Sequence, residues 1–464
     1  MTAQRYHDVP PEHRVYRVGD WLPADHRVHR EWLDGIIDQV DKTPTDLHPV
    51  LQEFKELIEA NTRIRMLVSS MFEQVPSKKP YSDDPTGHKQ IRDYQHMLQL
   101  LNHLMTTAPH WSDRSEKVGM VGLPINAVLD YPMGTPSGFA FFLDPDVNAM
   151  LKKVLNAWGE FLQSEDSAKQ ALSDQSSGWF SPTGKKELTA VANNAAGGTE
   201  RAFEELFDCD PSKPYHGFKS WDHFFTRTFR PDARPVASPD DDSVIVNACE
   251  SKPYNVARGA RLHDKFWIKG QPYSVLDMLA NDELAPQFDK CTVYQAFLSA
   301  LSYHRWHSPV SGRVVKAYVK DGTYYSEPLF EGIGDPGKLG ELSNESAKSG
   351  KSRQPDIDLG GETTSQGYLT AVATRAIIFI EADNPEIGLM CFLGVGMTEV
   401  STCEITAKEG QHVKKGDEIG MFHFGGSTHC LMFRHGLDVR NFPQPGRSDN
   451  VPVRGKLAVI GRDE

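Results

Sequence analysis

Several large classes of protein need features that this sequence has little of. Its six cysteines, Cys209, Cys249, Cys291, Cys391, Cys403 and Cys430, form no Cys-x-x-Cys pair. Neither a disulfide framework nor a zinc ribbon is therefore expected, no metal site is predicted, and the thiols read as reduced and free. The longest nearly unbroken apolar run, Ile387 to Met397, has 11 residues and contains three glycines, well short of the roughly 18 needed to cross a bilayer. The first thirty residues carry Arg, His, Asp and Glu with no apolar signal core, which predicts a cytoplasmic protein without an integral membrane segment. Positive charge is in deficit, since 50 Lys and Arg against 63 Asp and Glu leave a net −13. Such a field repels phosphate backbones and anionic headgroups, so nucleic acid is not an expected partner.

What is present is the composition of a folded chain. With 39% hydrophobic and 24% charged residues over 464 positions, wholesale disorder is excluded and two or three domains are affordable. The spacing of Phe54, Leu57 and Ile58, and of Tyr94, Met97, Leu98 and Leu101, predicts amphipathic helices. A third stripe, Met150, Leu151, Val154, Leu155, Trp158 and Leu162, follows Asp144-Pro145, a helix entry. Residues 164–198 are rich in Ser, Asn, Gly and charge and read as surface connection with room for one short helix. From Val244 onward, short β-branched runs alternate with Gly, Pro and Asp, as strands and turns do. The expectation is an α+β protein, with a mainly helical region over 1–215 and a β-rich region over 216–464. Asp240-Asp241-Asp242 reads as a solvated turn. Residues 331–367, with little periodicity, read as either a disordered insertion or a lid over a pocket. Glu409 to Gly420 sets two short strands around a Lys-Gly-Asp turn, similar to the turn of lipoyl- and biotinyl-type barrels. No modifiable lysine stands at a hairpin tip, so the likeness is one of fold and not of carrier function.

Two stretches carry chemistry. Met421-Phe422-His423-Phe424 runs into Gly425-Gly426-Ser427-Thr428, and Ser302-Tyr303-His304-Arg305-Trp306-His307-Ser308-Pro309 places two histidines three apart. Taken singly, the first is a loop; the second is a pair of structural histidines or an incomplete metal pair.

Taken together, Tyr303 to His307 and Gly425 to Thr428 resemble the pyruvoyl-dependent phosphatidylserine decarboxylases. Phe224-Phe225-Thr226-Arg227 with Arg234-Pro235-Val236, and Ile268-Lys269-Gly270 with Tyr273-Ser274-Val275, are similar to family patterns in the same order. Gly396 to Glu404, Phe422 to Ser427 and Ala248-Cys249-Glu250-Ser251 resemble most the fungal tryptophan-decarboxylase branch of that family. The resemblance implies a catalytic region with a barrel or sandwich element and a bond that cuts itself between Gly426 and Ser427. The Ser427 hydroxyl attacks the preceding carbonyl, and β-elimination and hydrolysis then leave a pyruvoyl group derived from Ser427. Thr428 attacking instead would leave a ketobutyryl group. Chains 1–426 and 427–464 would remain associated, and the covalent pyruvoyl cofactor would accept electrons through an imine with a substrate amine.

By the same resemblance, His304 protonates the product carbon at the decarboxylation step, and His307 removes the Ser427 proton during cleavage. Glu250 stands where the family usually has an aspartate that orients the maturation histidine. Glu399, Gly425 and Thr428 are implied as pocket residues. The expected substrate is a free aromatic amino acid, tryptophan first. The alternatives are a phosphatidylserine decarboxylase and a non-catalytic binding protein on the same fold. Oligomeric state is left open.

Overall fold

Proline behind a polar cap starts several of the helices, because its fixed φ suits the first turn and its missing N–H is not needed there. In the computed structural model, which describes residues 26–76, 81, 90–111, 123–176, 178–263, 273–327, 366–400, 402–424, 427–447 and 449–461, helices dominate up to residue 225. They are α1 (His26–Lys42), α2 (Pro49–Ala60), α3 (Thr62–Met71), α4 (Tyr94–Leu104), α5 (Pro124–Met133) and α6 (Pro136–Leu143). There follow α7 (Pro145–Leu162), α8 (Glu165–Ala171), α9 (Pro182–Ala195), α10 (Phe203–Leu206) and α11 (Trp221–Phe225). Asp144 caps α7 by accepting the Asp146 and Val147 N–H groups, and the stripe from Val147 to Leu162 is buried as the periodicity predicts. The stretch 164–198 holds two helices, not one. Ser164 caps α8 and Ser181 caps α9, and each buries too few residues for a periodic signal to stand out.

Strands begin at β1 (Val244–Val246) and β2 (Lys252–Ala260). After a single helical turn, α12 (Val275–Met278), come β3 (Cys291–Leu298), β4 (Arg305–His307) and β5 (Gly312–Lys320). The helix α13 (Gln366–Val372) precedes β6 (Arg375–Ala382), β7 (Leu389–Gly396), β8 (Thr402–Ile405) and β9 (His412–Val413). The last strands are β10 (Glu418–His423), β11 (Ser427–Phe433), β12 (Val439–Arg440) and β13 (Lys456–Ile460). They form a seven-stranded sheet, β2-β3-β11-β7-β6-β5-β9, and two three-stranded sheets, β4-β10-β8 and β1-β13-β12. β11 is central, antiparallel to β3 and β7, and buried along its whole length.

The sheet β4-β10-β8 lies face-on to the large one. A Cβ at Gly394 of β7 would come within 3.0 Å of the Trp306 ring of β4, and the same ring packs on Phe392 at 5.3 Å. The result is a sandwich, and no closed barrel forms among the described residues. β9 and β10 do not pair as a hairpin, because β9 joins β5 while β10 lies between β4 and β8. The turn between them bonds elsewhere, for Gly416, at φ +86°, donates its N–H to the Ser308 carbonyl at 2.8 Å. The acidic triplet 240–242 is an exposed turn. Of residues 331–367, read as a disordered insertion or a lid, all but Gln366 and Gly367, which open α13, lie outside the described residues, as does Ile268-Lys269-Gly270. Helical and β-rich segments share one apolar core running from Leu33 to Ile460.

Candidate active site

Ser427 opens the central strand, opposite Leu298 on one side and Gly396 on the other. Its side chain is fully buried, and its Oγ has no hydrogen-bond partner among the described residues. The neighbouring hydroxyl differs. Thr428 points to the other face of the strand, donates to the Ala296 carbonyl at 3.0 Å and accepts from Gln295 Nε2 at 3.1 Å. Gln295 is itself fixed by the Tyr273 hydroxyl at 2.7 Å. Of two adjacent hydroxyls, Thr428 is committed to its sheet and Ser427 is free to act as a nucleophile. Gly425 and Gly426 lie outside the described residues.

His304 ends the loop that leads from β3 to β4, and its carbonyl accepts the Phe422 N–H at 3.0 Å, which fixes it beside the strand leading to Ser427. The ring stacks on Phe225 at 4.0 Å, and neither ring nitrogen makes a well-formed hydrogen bond to a described residue. Burial, aided by the Arg227 charge, holds its pKa well below that of an ordinary histidine. Arg227 is the loop's anchor, donating to the carbonyls of Leu301 at 2.9 Å and Ser302 at 3.1 Å from between the rings of Phe207 and Phe224. The segment Phe224 to Arg227 is thus the cradle of His304.

His307 is held at both nitrogens. Nδ1 lies 2.9 Å from the Gly416 carbonyl and Nε2 3.0 Å from the Tyr303 hydroxyl. Arg454 Nε also approaches Nδ1 at 3.3 Å, but its shorter bond, at 2.9 Å, is to the same Gly416 carbonyl; a carbonyl only accepts, so the shorter contacts assign the proton to Nδ1 and leave the Nε2 lone pair to receive the Tyr303 O–H. Burial, then the Arg454 charge, lowers its pKa to about 3, keeping it a neutral base. The segment Arg234-Pro235-Val236 helps to seat its partner, since Val236 packs so closely on Gly416 that a Cβ there would meet it at 2.5 Å.

Glu250 does not take the orienting position expected of it. Both its oxygens pair with buried Arg234, and one also accepts the Val453 N–H at 2.9 Å. A buried carboxylate is better satisfied by the two-pronged guanidinium than by one imidazole N–H, and the Gly416 carbonyl orients His307 instead. Glu399, three residues past the Ser427 partner Gly396, is fully buried and accepts the Asn126 N–H of α5 at 2.8 Å. Its other oxygen and the Asn126 side-chain amide have no partner among the described residues, and burial pushes its pKa up to about 7.

Two family models, both described as phosphatidylserine decarboxylase, match residues 48–188 and 221–455. The chain belongs to the phosphatidylserine decarboxylase family. It is 34% identical to the L-tryptophan decarboxylase of Psilocybe cubensis over 94% of this chain and 93% of that one. With Decarboxylase iboD of Amanita muscaria it shares 46% identity over 67% of this chain and 84% of the relative. The phosphatidylserine decarboxylase proenzyme 3 of Schizosaccharomyces pombe is 27% identical over 50% of this chain and 21% of its own length.

In this member of the phosphatidylserine decarboxylase family, three groups at the site escaped the sequence reading. Tyr303 was visible within its motif, but its bond to His307 was not. His423 lies between Asp222 at 2.8 Å and Glu404 at 2.9 Å. Burial alone would lower its pKa, yet the two carboxylates outweigh that and raise it. Its sole signal was a histidine in an apolar run, with its partners 201 and 19 residues away. His429 sits two residues beyond Ser427 on the same face of β11, between Phe392 and Tyr294, and burial lowers its pKa to about 3.

Proposed function

We propose that the chain is a self-processing, pyruvoyl-dependent decarboxylase of a free aromatic L-amino acid, tryptophan favoured, that releases carbon dioxide and the arylamine. The observation that carries this reading is the buried, unpartnered Ser427 hydroxyl beside a Thr428 hydroxyl already committed to the sheet. Ser427 Oγ loses its proton and attacks the Gly426 carbonyl carbon; the C–N bond breaks, leaving an ester and a free Ser427 amine. Loss of the Ser427 Cα proton and scission of its Cβ–O bond release the Gly426 carboxylate, and water then replaces nitrogen, which departs as ammonia. The pyruvoyl group so formed supplies an electron-accepting carbonyl for the pair left behind by carbon dioxide.

The surrounding residues have proton work suited to their states. His307, neutral and with its lone pair on the Tyr303 hydroxyl, accepts the proton of maturation through that hydroxyl. His304, also neutral, takes a proton from the entering ammonium at a ring nitrogen and returns it to the substrate carbon after carbon dioxide leaves. Glu399, buried three residues past the strand partner of Ser427, is assigned to the substrate pocket. The preference for a free amino acid draws on two L-tryptophan decarboxylases aligned over nine-tenths of both chains, whereas the S. pombe phospholipid enzyme aligns over half of this one. It also draws on the net charge of −13 and on the fact that, among the described residues, no helix is long and apolar enough to cross a membrane. All six thiols are free, in keeping with the reducing cytoplasm we assign to it.

Two measurements test the proposal. Denaturing electrophoresis should resolve two pieces from the purified protein and one intact chain from Ser427→Ala. An intact parent would favour the binding-protein reading. Carbon dioxide release should follow tryptophan ahead of tyrosine and phenylalanine, and release from phosphatidylserine alone would make the phospholipid the substrate.

A further inference from the structure

Immediately before the two glycines the backbone is strained and gripped. Phe424 has φ +80°, in the left-handed region that a bulky residue enters only when its surroundings impose it. Its ring packs on Trp158 of α7 at 6.3 Å and lies over Gly159, where a Cβ would come within 2.8 Å of a ring carbon. Gly159 stands inside α7, where glycine costs about 1 kcal/mol of helix stability relative to alanine. An ordinary packing contact requires neither a glycine in the helix nor a left-handed phenylalanine. One residue earlier, His423 is bonded to Asp222 of α11 and to Glu404 of β8. Residues 423 and 424 are therefore held by two helices of the N-terminal half, far from them in sequence, and by one strand of the small sheet.

We propose that α7 and α11 position the self-cleaving segment: Trp158 and Gly159 seat Phe424, Asp222 holds His423 against Glu404, and these grips fix the backbone ahead of Ser427 for attack. The attack is the step in which the Oγ–C bond to Gly426 forms, the C–N bond breaks and the Oγ proton ends on the released amine. The inference rests on the self-cleavage reading above and assigns the helices a part in maturation. Gly159, Trp158, Phe424, His423 and Asp222 are positioning residues in it, since none supplies an atom to the reaction.

The experiment follows conversion of freshly made precursor to its two pieces over time on denaturing gels. Gly159→Ala, although favourable to the helix itself, pushes a methyl group into the Phe424 ring and should slow cleavage about ten-fold. Phe424→Leu should slow it too, and the double variant Gly159→Ala/Phe424→Leu should cleave faster than Gly159→Ala alone, because the smaller side chain makes room for the methyl. Asp222→Asn, which keeps shape and removes charge, should slow cleavage about three-fold. Thermal midpoints measured in a Ser427→Ala background separate slow chemistry from unfolding. Parental cleavage rates in Gly159→Ala, or simple additivity in the double variant, overturn the proposal. If Gly159→Ala unfolds the precursor, Asp222→Asn decides alone, and parental cleavage in it overturns the proposal. A parent that never cleaves defeats the underlying reading instead.

Discussion

At Glu399, burial is converted into a pH dependence. The carboxyl titrates near about 7 because the site disfavours its charge, whereas an exposed glutamate titrates near about 4.3. The folded chain thus keeps a proton that the unfolded chain gives up, and the native state loses stability as pH rises between those two values. Glu399→Gln retains a carbonyl for the Asn126 N–H and cannot ionise. Its melting temperature relative to the parent should therefore climb from pH 5 to pH 8 in calorimetry; a difference that stays flat across that range would show that the carboxyl is already ionised in the folded chain at pH 5 and that burial does not raise its pKa. Ser427 and Thr428 make the companion point about neighbours. Their hydroxyls have the same chemistry in the sequence, and only strand alternation and the Ala296 carbonyl separate an unpartnered hydroxyl, the proposed nucleophile, from a structural one.

The loop from β3 to β4 depends on one buried cation, since Arg227 holds two successive carbonyls just ahead of His304. Arg227→Lys offers a single ammonium in place of the planar fork. The loss of a charged hydrogen bond should cost roughly 2 kcal/mol and should lower carbon dioxide release per cleaved chain by more than it lowers cleavage, as read by paired gel and carbon dioxide assays. Elements of this kind were unevenly legible in the sequence. Long amphipathic helices such as α7 were plain from spacing and capping, because both signals are local. Where one short helix was allowed there are two, α8 and α9, because their three and five buried residues include only one large apolar side chain, Leu188, and make no hydrophobic period. Strands around Gly416 were foreseen, but their partners were not, since which sheet a strand joins depends on residues a hundred positions away. The same limit explains Glu250. Its carboxylate and its place beside a strand could be read, but the competing guanidinium of Arg234 could not. The bonds of His423 and Tyr303 were likewise hidden, while the motif around Ser427 stood out because glycine, serine and threonine need no partner to be noticed.

On the scale of the whole molecule, the proposed cut releases nothing. Residues 427–464 contribute β11 at the centre of the large sheet, flanked by β3 and β7, and β13, which pairs with β1. Seven residues of β11 are hydrogen-bonded on both edges and buried on both faces. The two pieces should co-elute in size-exclusion chromatography and separate only in denaturant; loss of the 38-residue piece under native conditions would contradict the sheet order. The helical half also remains engaged, since one apolar core links it to the strands. If, as proposed, the reactive group is made from Ser427 at the head of β11, it is main chain held between β3 and β7 and cannot leave as a diffusible cofactor can; a copy whose group is chemically damaged would then have to be replaced by a newly made chain.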